Sequence, residues 1–304
     1  MSSSIDRRQF ARLVGLGGVV FASGLANSSA SGPFGVASAR AAAAAEDFFF
    51  VQLSDSHWGF KGPPNPEAAN TLKLAVEAVN SLPKQPDFIV FTGDLTHTTD
   101  DVAERKKRMG EFRDIVKGLK TQNIRFMPGE HDASLDKGAA FQEFFGPTHY
   151  TFDHKGVHFI VVDNVSDPTA SIGEEQLKWL ADDLKKQDKD ARIVVFTHRP
   201  LFDLAPEWDW ATRDGKAAID MLMPYKNVTV FYGHIHQENH FMTDHIAHHA
   251  ATSLIFPLPK PGSQEKRTPL PWNAEKPFSG LGWREVTAEA KTASYQLTQM
   301  PVKA

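Results

Sequence analysis

Five times along this chain a short apolar run breaks off at residues able to bind a cation. Phe48 to Leu53 leads into Asp55-Ser56-His57, and Phe88 to Phe91 into Gly93-Asp94. Ile124 to Met127 leads into Gly129-Glu130-His131-Asp132, Ile193 to Phe196 into Thr197-His198, and Val228 to Tyr232 into Gly233-His234-Ile235-His236. Apolar runs this short read as buried strands. Between them, Leu72, Val76 and Val79, then Met109, Phe112, Val116 and Leu119, then Leu177, Leu180 and Leu184 recur at helical spacing. Strands interleaved with helices define an α/β architecture. In such folds ligand sites gather at the carboxyl ends of strands, so the five strand ends are expected to meet in one cleft. Glycines before Asp94, Glu130 and His234 allow the sharp turns that crowd these groups together.

The remaining pattern fits one domain over 46–304. Asn65-Pro66 reads as the N-cap and first residue of a helix, and 101–119 as a charged helix. Tyr150 to Phe152 and Val157 to Val162 form a hairpin over Lys155-Gly156, residues 174–187 and 215–223 are helical, and 239–256 holds one or two strands. Phe256 to Pro277, with six prolines, reads as an ordered surface loop. A last hairpin pairs Gly282 to Thr287 with Ser294 to Met300. With 41% apolar residues the chain can bury a sizeable core. It has no Cys, so any metal must sit on His, Asp, Glu or Asn. A net charge of −4 argues against a binder of the nucleic-acid backbone, and no nucleic-acid duplex is expected as a partner.

Residues 1–45 read as a cleaved export signal. Asp6-Arg7-Arg8-Gln9-Phe10 precedes the apolar run Leu13 to Ala26, and Ala37-Ser38-Ala39 and a poly-Ala tract follow. The paired arginines resemble a twin-arginine signal, which implies the twin-arginine export machinery as a partner and a periplasmic or secreted protein. The apolar run is too short to span a bilayer comfortably, and no stable membrane anchor is expected. Loss of these residues removes four Arg and one Asp and takes the formal charge from −4 to −7.

Taken in order, D-x-H, G-D, G-x-H-D, a lone His and G-H-x-H resemble the calcineurin-like metallophosphoesterase family over about residues 48–255. The spelling Gly93-Asp94-Leu95-Thr96 and the closing His-x-His are most similar to its cyclic-nucleotide phosphodiesterase and glycerophosphodiesterase branch. The resemblance implies a four-layer α/β/β/α sandwich, with two mixed sheets flanked by helices. It also implies two divalent or trivalent ions (Fe, Mn or Zn) that make a metal-bound hydroxide to attack a small phosphate ester. Asp55, His57 and His236 would hold one ion and His198 and His234 the other, with Asp94 between them. His131 would face the leaving group as acid or phosphate binder, oriented by Asp132. Imidazole and carboxylate suit these metals. Paired cations polarise attacking and leaving oxygens alike.

One residue departs from the family, which has Asn where this chain has Glu130. As a further metal ligand, Glu130 adds a negative charge. That weakens the pull on a dianionic monoester more than on a monoanionic diester and predicts a phosphodiesterase. Two alternatives stay open at this stage: a catalytically silent metal-binding or interaction protein on the same fold, and a specific cyclic-nucleotide phosphodiesterase. Trp208 and Trp210 would serve the latter if they formed a lid that stacks on a base, or else they pack into the core. His97 and Asp100 either line the site or belong to a helix cap over Thr98 to Asp101. His240, His245, His248 and His249 are expected to alternate on strand faces near the cleft rim, with one of His248 and His249 inward. His149, His154 and His158 are expected to be structural.

Overall fold

The computed structural model describes residues 46–303 together with the backbone of Val19–Val20. The expected export signal therefore lies outside the described residues, that pair excepted. In chain order the elements are β1 (Val19–Val20), β2 (Phe48–Leu53), α1 (Ala68–Asn80), β3 (Phe88–Thr92), α2 (Val102–Val116), β4 (Ile124–Met127), α3 (Glu130–Ala133), α4 (Ala139–Phe145), β5 (Tyr150–His154) and β6 (Val157–Val161). They continue with α5 (Glu174–Leu184), β7 (Arg192–Phe196), a single 3-10 turn at Pro206–Trp208, α6 (Gly215–Leu222), β8 (Asn227–Tyr232), β9 (Asn239–Thr243), β10 (Ile246–Ala250), β11 (Gly282–Ala288) and β12 (Tyr295–Pro301).

Two six-stranded sheets form, in the orders β1-β12-β11-β2-β3-β4 and β5-β6-β7-β8-β10-β9. Each has a parallel centre, β2-β3-β4 in the first and β6-β7-β8-β10 in the second, and antiparallel strands beside it. Three apolar layers hold the sandwich together. Between the sheets lie Phe48, Phe50, Phe88, Phe159, Phe196 and Phe231. There Phe50 and Phe88 stack with centroids 4.8 Å apart, and Phe159 meets Phe50 edge-on at 6.3 Å. Outside the first sheet, Leu72, Val79, Met109, Phe112 and Phe141 bring α1, α2 and α4 onto it. Outside the second, Leu180, Leu184, Ile219 and Leu222 do the same for α5 and α6. This is the expected four-layer α/β/β/α sandwich. The central strands are buried on both faces, which is why they read as unbroken apolar runs.

Several local expectations change. Helix α1 begins at Ala68 rather than at Pro66. Asn65 is drawn into tertiary contacts, with its amide donating to Ile255 O at 2.5 Å and its Oδ1 accepting from Glu67 N. Trp208 and Trp210 are buried against each other in the outer core of the second sheet, and so cannot act as a stacking lid. His248 and His249 do not alternate between inside and outside: both are buried, because β10 is covered on both faces. His158, by contrast, is structural as expected, pinned between Asp153 at 2.6 Å and Asp183 at 2.8 Å. Asp101 caps α2 by accepting from Ala103 N and Glu104 N, which leaves His97 outside the cap. Among the described residues no helix is long and apolar enough to cross a membrane.

Candidate metal centre

The five motif-bearing strand ends come from both sheets, β2, β3 and β4 from one and β7 and β8 from the other. Their loops run on side by side past the strands. Asp55 N donates to Gly93 O at 3.1 Å, His57 N to Asp94 O at 2.9 Å, and Gly233 N to His198 O at 3.0 Å. Bonds across the sandwich lock the two ends together, from His198 Nδ1 to Thr92 O at 2.7 Å and from Gln52 Nε2 to Tyr232 O at 3.0 Å.

The backbone conformation of these loops is unusual. Asp55, His57, Asp94, His234 and His236 all have positive φ, between 42° and 64°. Asp and His are among the side chains that tolerate this left-handed region best, yet each instance costs about 1–3 kcal/mol. The reward is geometric, since a left-handed residue at a strand end turns its side chain back over the sheet edge. Glycine supplies the remaining clearance. A Cβ on Gly233 would collide with Ser54 Oγ and lie 2.9 Å from Asp55 Oδ2, and one on Gly93 would collide with His198.

Two clusters of buried or half-buried ligand atoms gather the motif residues, Asp55, His57 and His236 in one and Asp94, Glu130, His198 and His234 in the other, and a third group, His57, His97 and His131, adjoins the first. In the first, His236 Nε2 lies 3.4 Å from Asp55 Oδ1 and 3.4 Å from His57 Nε2. In the second, the Glu130 carboxylate points inward, 3.0 Å from both His198 Nε2 and His234 Nδ1. Asp94 Oδ2 stands between the clusters, 3.3 Å from His57 Nε2 and 3.4 Å from His198 Nε2. The donor set fits cations. His198 Nε2 and Glu130 Oε2 are buried without a hydrogen-bond partner although they lie 3.0 Å apart, the arrangement of two ligands aimed at a shared point. Burial holds the His57 pKa well below its ordinary value, against the pull of Asp94. At His198 burial opposes charge, but Asp94 and Glu130 outweigh it and raise the pKa, so the field there favours a cation.

His131 lies beside the first cluster, its ring centroid 4.5 Å from that of His57. Its expected orientation by Asp132 is not what holds it. Asp132 accepts instead from Leu95 N, Thr96 N, Thr96 Oγ1 and Gly129 N, at 2.9–3.0 Å, and so braces the β3 loop against the β4 loop. His131 Nδ1 accepts from Thr98 N at 3.2 Å, and its backbone N–H donates to Asp94 Oδ1 at 2.9 Å. His97, which the sequence leaves open between lining the site and belonging to a helix cap, lines it, and Phe256, Phe60 and Arg199 join it without having been expected there. His97 stacks on His131 with centroids 4.9 Å apart. Phe256 packs against His236, and Phe60 packs against Phe256. Arg199 Nη2 lies 3.7 Å from Glu130 Oε1 while Nη1 pairs with Asp209. The only sequence signals for these were adjacency to a ligand, for Arg199, and a position three residues after Asp94, for His97.

A four-layer sandwich with paired carboxylate–imidazole clusters where its two sheets meet has the build of a metallophosphoesterase. The chain belongs to the Calcineurin-like phosphoesterase family, whose sequence pattern matches residues 50–238. Among curated proteins it is 26% identical over 217 residues to Serine/threonine-protein phosphatase CPPED1 of Danio rerio, covering 62% of this chain and 70% of that protein. It is 28% identical over 200 residues to a Probable cyclic nucleotide phosphodiesterase of Rhodococcus erythropolis, covering 62% and 64%. To the Probable glycerophosphodiester phosphodiesterase GpdQ of Arcobacter nitrofigilis it is 26% identical over 160 residues, covering 49% and 56%. The chain spans little more than half of the bovine and mouse CPPED1 proteins, 56% and 57%. Among solved structures the yellow lupin purple acid phosphatase PPD1 shares the fold with a TM-score of 0.60 at 14% identity, covering 80% of this chain and 50% of that one. A dimetal phosphatase from Danio rerio shares it at 0.57 and 14%, covering 84% and 99%.

Proposed function

We propose that this protein hydrolyses a small phosphate ester with two metal ions, one held by Asp55, His57 and His236, the other by Glu130, His198 and His234, with Asp94 bridging. The observation that carries the reading is the placement of Asp94 Oδ2 within 3.4 Å of a front nitrogen from each cluster. Paired cations there would acidify a water and draw charge off the ester oxygens. The chain's own residues supply the rest. Asp132 fixes the loop that carries Glu130 and His131. With Nδ1 of His131 committed to Thr98, Nε2 is the nitrogen left to bind the phosphoryl group or hand a proton to the leaving oxygen.

A phosphodiester is the favoured substrate. Glu130 adds negative charge to the second cluster, and two of the relatives are named as phosphodiesterases. Arg199 favours the monoester reading, because its guanidinium 3.7 Å from Glu130 offsets that charge, although it is shared with Asp209. The buried Trp208 and Trp210 remove the basis for reading a base-stacking lid. Turnover of chromogenic aryl phosphate diester and monoester, with added Mn²⁺ or Zn²⁺, tests the reading. Diester hydrolysis that Asp94→Asn abolishes supports it, and Glu130→Asn is expected to shift the ratio toward monoester. Monoester preference in the unaltered protein counts against the diester assignment. Turnover unchanged in Asp94→Asn would refute the bridging role of Asp94, and metal retention with no turnover of either ester would point to a silent binder on this fold. We read residues 1–45 as a twin-arginine-type export signal and the mature chain as periplasmic or secreted. Retention of an Arg7→Lys, Arg8→Lys form inside the natural host tests that, and export undiminished by the change refutes it.

A further inference from the structure

Each of the four imidazoles in the two clusters turns one nitrogen toward the carboxylates and the other toward an acceptor behind it. His198 Nδ1 meets Thr92 O at 2.7 Å, His234 Nε2 meets Asp209 O at 2.9 Å, and His236 Nδ1 meets Phe256 O at 2.9 Å. These three acceptors are backbone carbonyls, which can only accept, so each fixes its imidazole's tautomer and ring plane. His57 is the exception. Its rear Nδ1 lies 3.3 Å from Nδ1 of another side chain, His97.

We propose that His97 is a positioning residue for the metal centre: its Nδ1 accepts the Nδ1–H of His57, which keeps the Nε2 lone pair of His57 aimed into the cluster with Asp55 and His236. The inference rests on the two-ion reading above. The geometry around His97 suits a fixed acceptor. Its backbone N–H donates to Trp58 O at 2.9 Å and its carbonyl accepts from Arg108 Nη1 at 2.8 Å, so the main chain is clamped on both sides. Its ring is held between His131, stacked at 4.9 Å, and Phe60, edge-on at 5.0 Å. His97 belongs to no ligand motif of the sequence, yet it is the one rear partner that a side-chain substitution can remove.

The ring also makes packing contacts, so the test must separate an acceptor from a packing ring. In His97→Asn the Oδ1 atom stands where Nδ1 stood, while the stacking on His131 and Phe60 is lost. In His97→Leu the apolar bulk stays and the acceptor goes. The full-length, metal-loaded protein is dialysed against graded chelator, and ions retained per chain are counted by elemental analysis alongside thermal melting. Loss of an outer hydrogen-bond partner to a ligating His costs about 10–100-fold in metal affinity. His97→Leu is therefore expected to release one of two ions at about 10–100-fold lower chelator concentration while the other stays, and His97→Asn to restore retention most of the way. Retention by His97→Leu equal to the unaltered protein overturns the proposal, as does equal loss in both variants. A third ion that only His97→Leu loses overturns it too, because His57, His97 and His131 would then themselves be a cation site. Asp55→Asn identifies which idea has failed. If Asp55→Asn sheds an ion and His97→Leu does not, the role of His97 alone falls. If Asp55→Asn sheds none, the two-ion reading fails and His97 falls with it.

Discussion

Gly129 gives the sharpest test of how the centre is built. It is the N-cap of α3 with φ −102° and ψ 176°, a conformation that alanine adopts without strain. A Gly129→Ala exchange therefore perturbs nothing through the backbone, and all of its effect comes from the added methyl. That Cβ would lie 2.6 Å from Asp94 Cγ and closer still to Asp94 Oδ1 and to the backbone N of Asp94, where ordinary contact begins at 3.4 Å. The side chain of Asp94 cannot simply rotate away, because its own main chain is part of the collision. The β3 and β4 loops must part by roughly 1 Å, and a displacement of that size at a reacting centre costs on the order of 10²-fold in rate. Stability should change far less. Overpacking costs about 1–3 kcal/mol, and the reduced freedom of the unfolded chain returns about 0.4–1 kcal/mol. The assay is turnover of an aryl phosphate diester together with metal retention and a thermal melt. Gly110→Ala is the control: it lies within α2, its added methyl meets Phe144 at an ordinary 3.6 Å, and it should stabilise by roughly 0.5–1 kcal/mol with unchanged rate. A Gly129→Ala protein with normal turnover and metal content would refute the claim that close approach of these two loops sets the position of Asp94.

Chelation should lower the melting temperature by about 10 °C, since ligand at 1,000 times its dissociation constant contributes about 4 kcal/mol and each kcal/mol moves a domain of this size by about 2–4 °C; a chelator-insensitive melt would contradict cation-dependent closure of the two clusters. His158 should make stability depend on pH. Burial opposes its charge, but the hydrogen bonds it donates to Asp183 and Asp153 prevail and raise its pKa above 6.5. The stabilisation is then complete below about pH 6.5, the unfolded value, and fades as pH rises through the higher folded value, so melting temperature should fall over that window in the native protein and stay flatter in His158→Gln. Phe50→Ala, at the centre of the inter-sheet layer, should cost about 3–5 kcal/mol in denaturant unfolding; a loss under 1 kcal/mol would mean that the two sheets are not held by this aromatic layer.

Much of this was legible in the order of residues. Strands β2, β3, β7 and β8 are buried on both faces, and continuous apolar runs announce that condition directly. The ligand motifs at their ends could be placed in one cleft by topology alone. What the pattern could not show was that three of the strand ends come from one sheet and two from the other, because pairing partners leave no local trace. Asn65 looks like a cap, but its amide contacts Ile255, 190 residues away, and no short-range rule anticipates that. Trp208 and Trp210 sit in a polar segment that reads equally as a lid or as a loop packed on the core, and only the fold decides for the core, beneath the second sheet. His248 and His249 obey strand alternation, but cover on the second face of β10 buries both. The family resemblance made Asp132 the expected orienter of His131, whereas its carboxylate has a fuller set of donors on the β3 loop. The inward aim of Glu130 agrees with its place at a strand end where the family has Asn, while its counter-charge Arg199 needed the folded geometry to be seen.

The division of the cation-binding groups between two sheets makes the centre a measure of assembly. Asp55, His57, Asp94 and Glu130 belong to one half of the sandwich, and His198, His234 and His236 belong to the other, so neither half alone presents a complete coordination sphere. With ions held as proposed, metal content would report the docking of one half onto the other. A partly unfolded chain that kept either sheet intact would still be blind to its ions, and during synthesis the centre can close only after the last of these histidines has emerged.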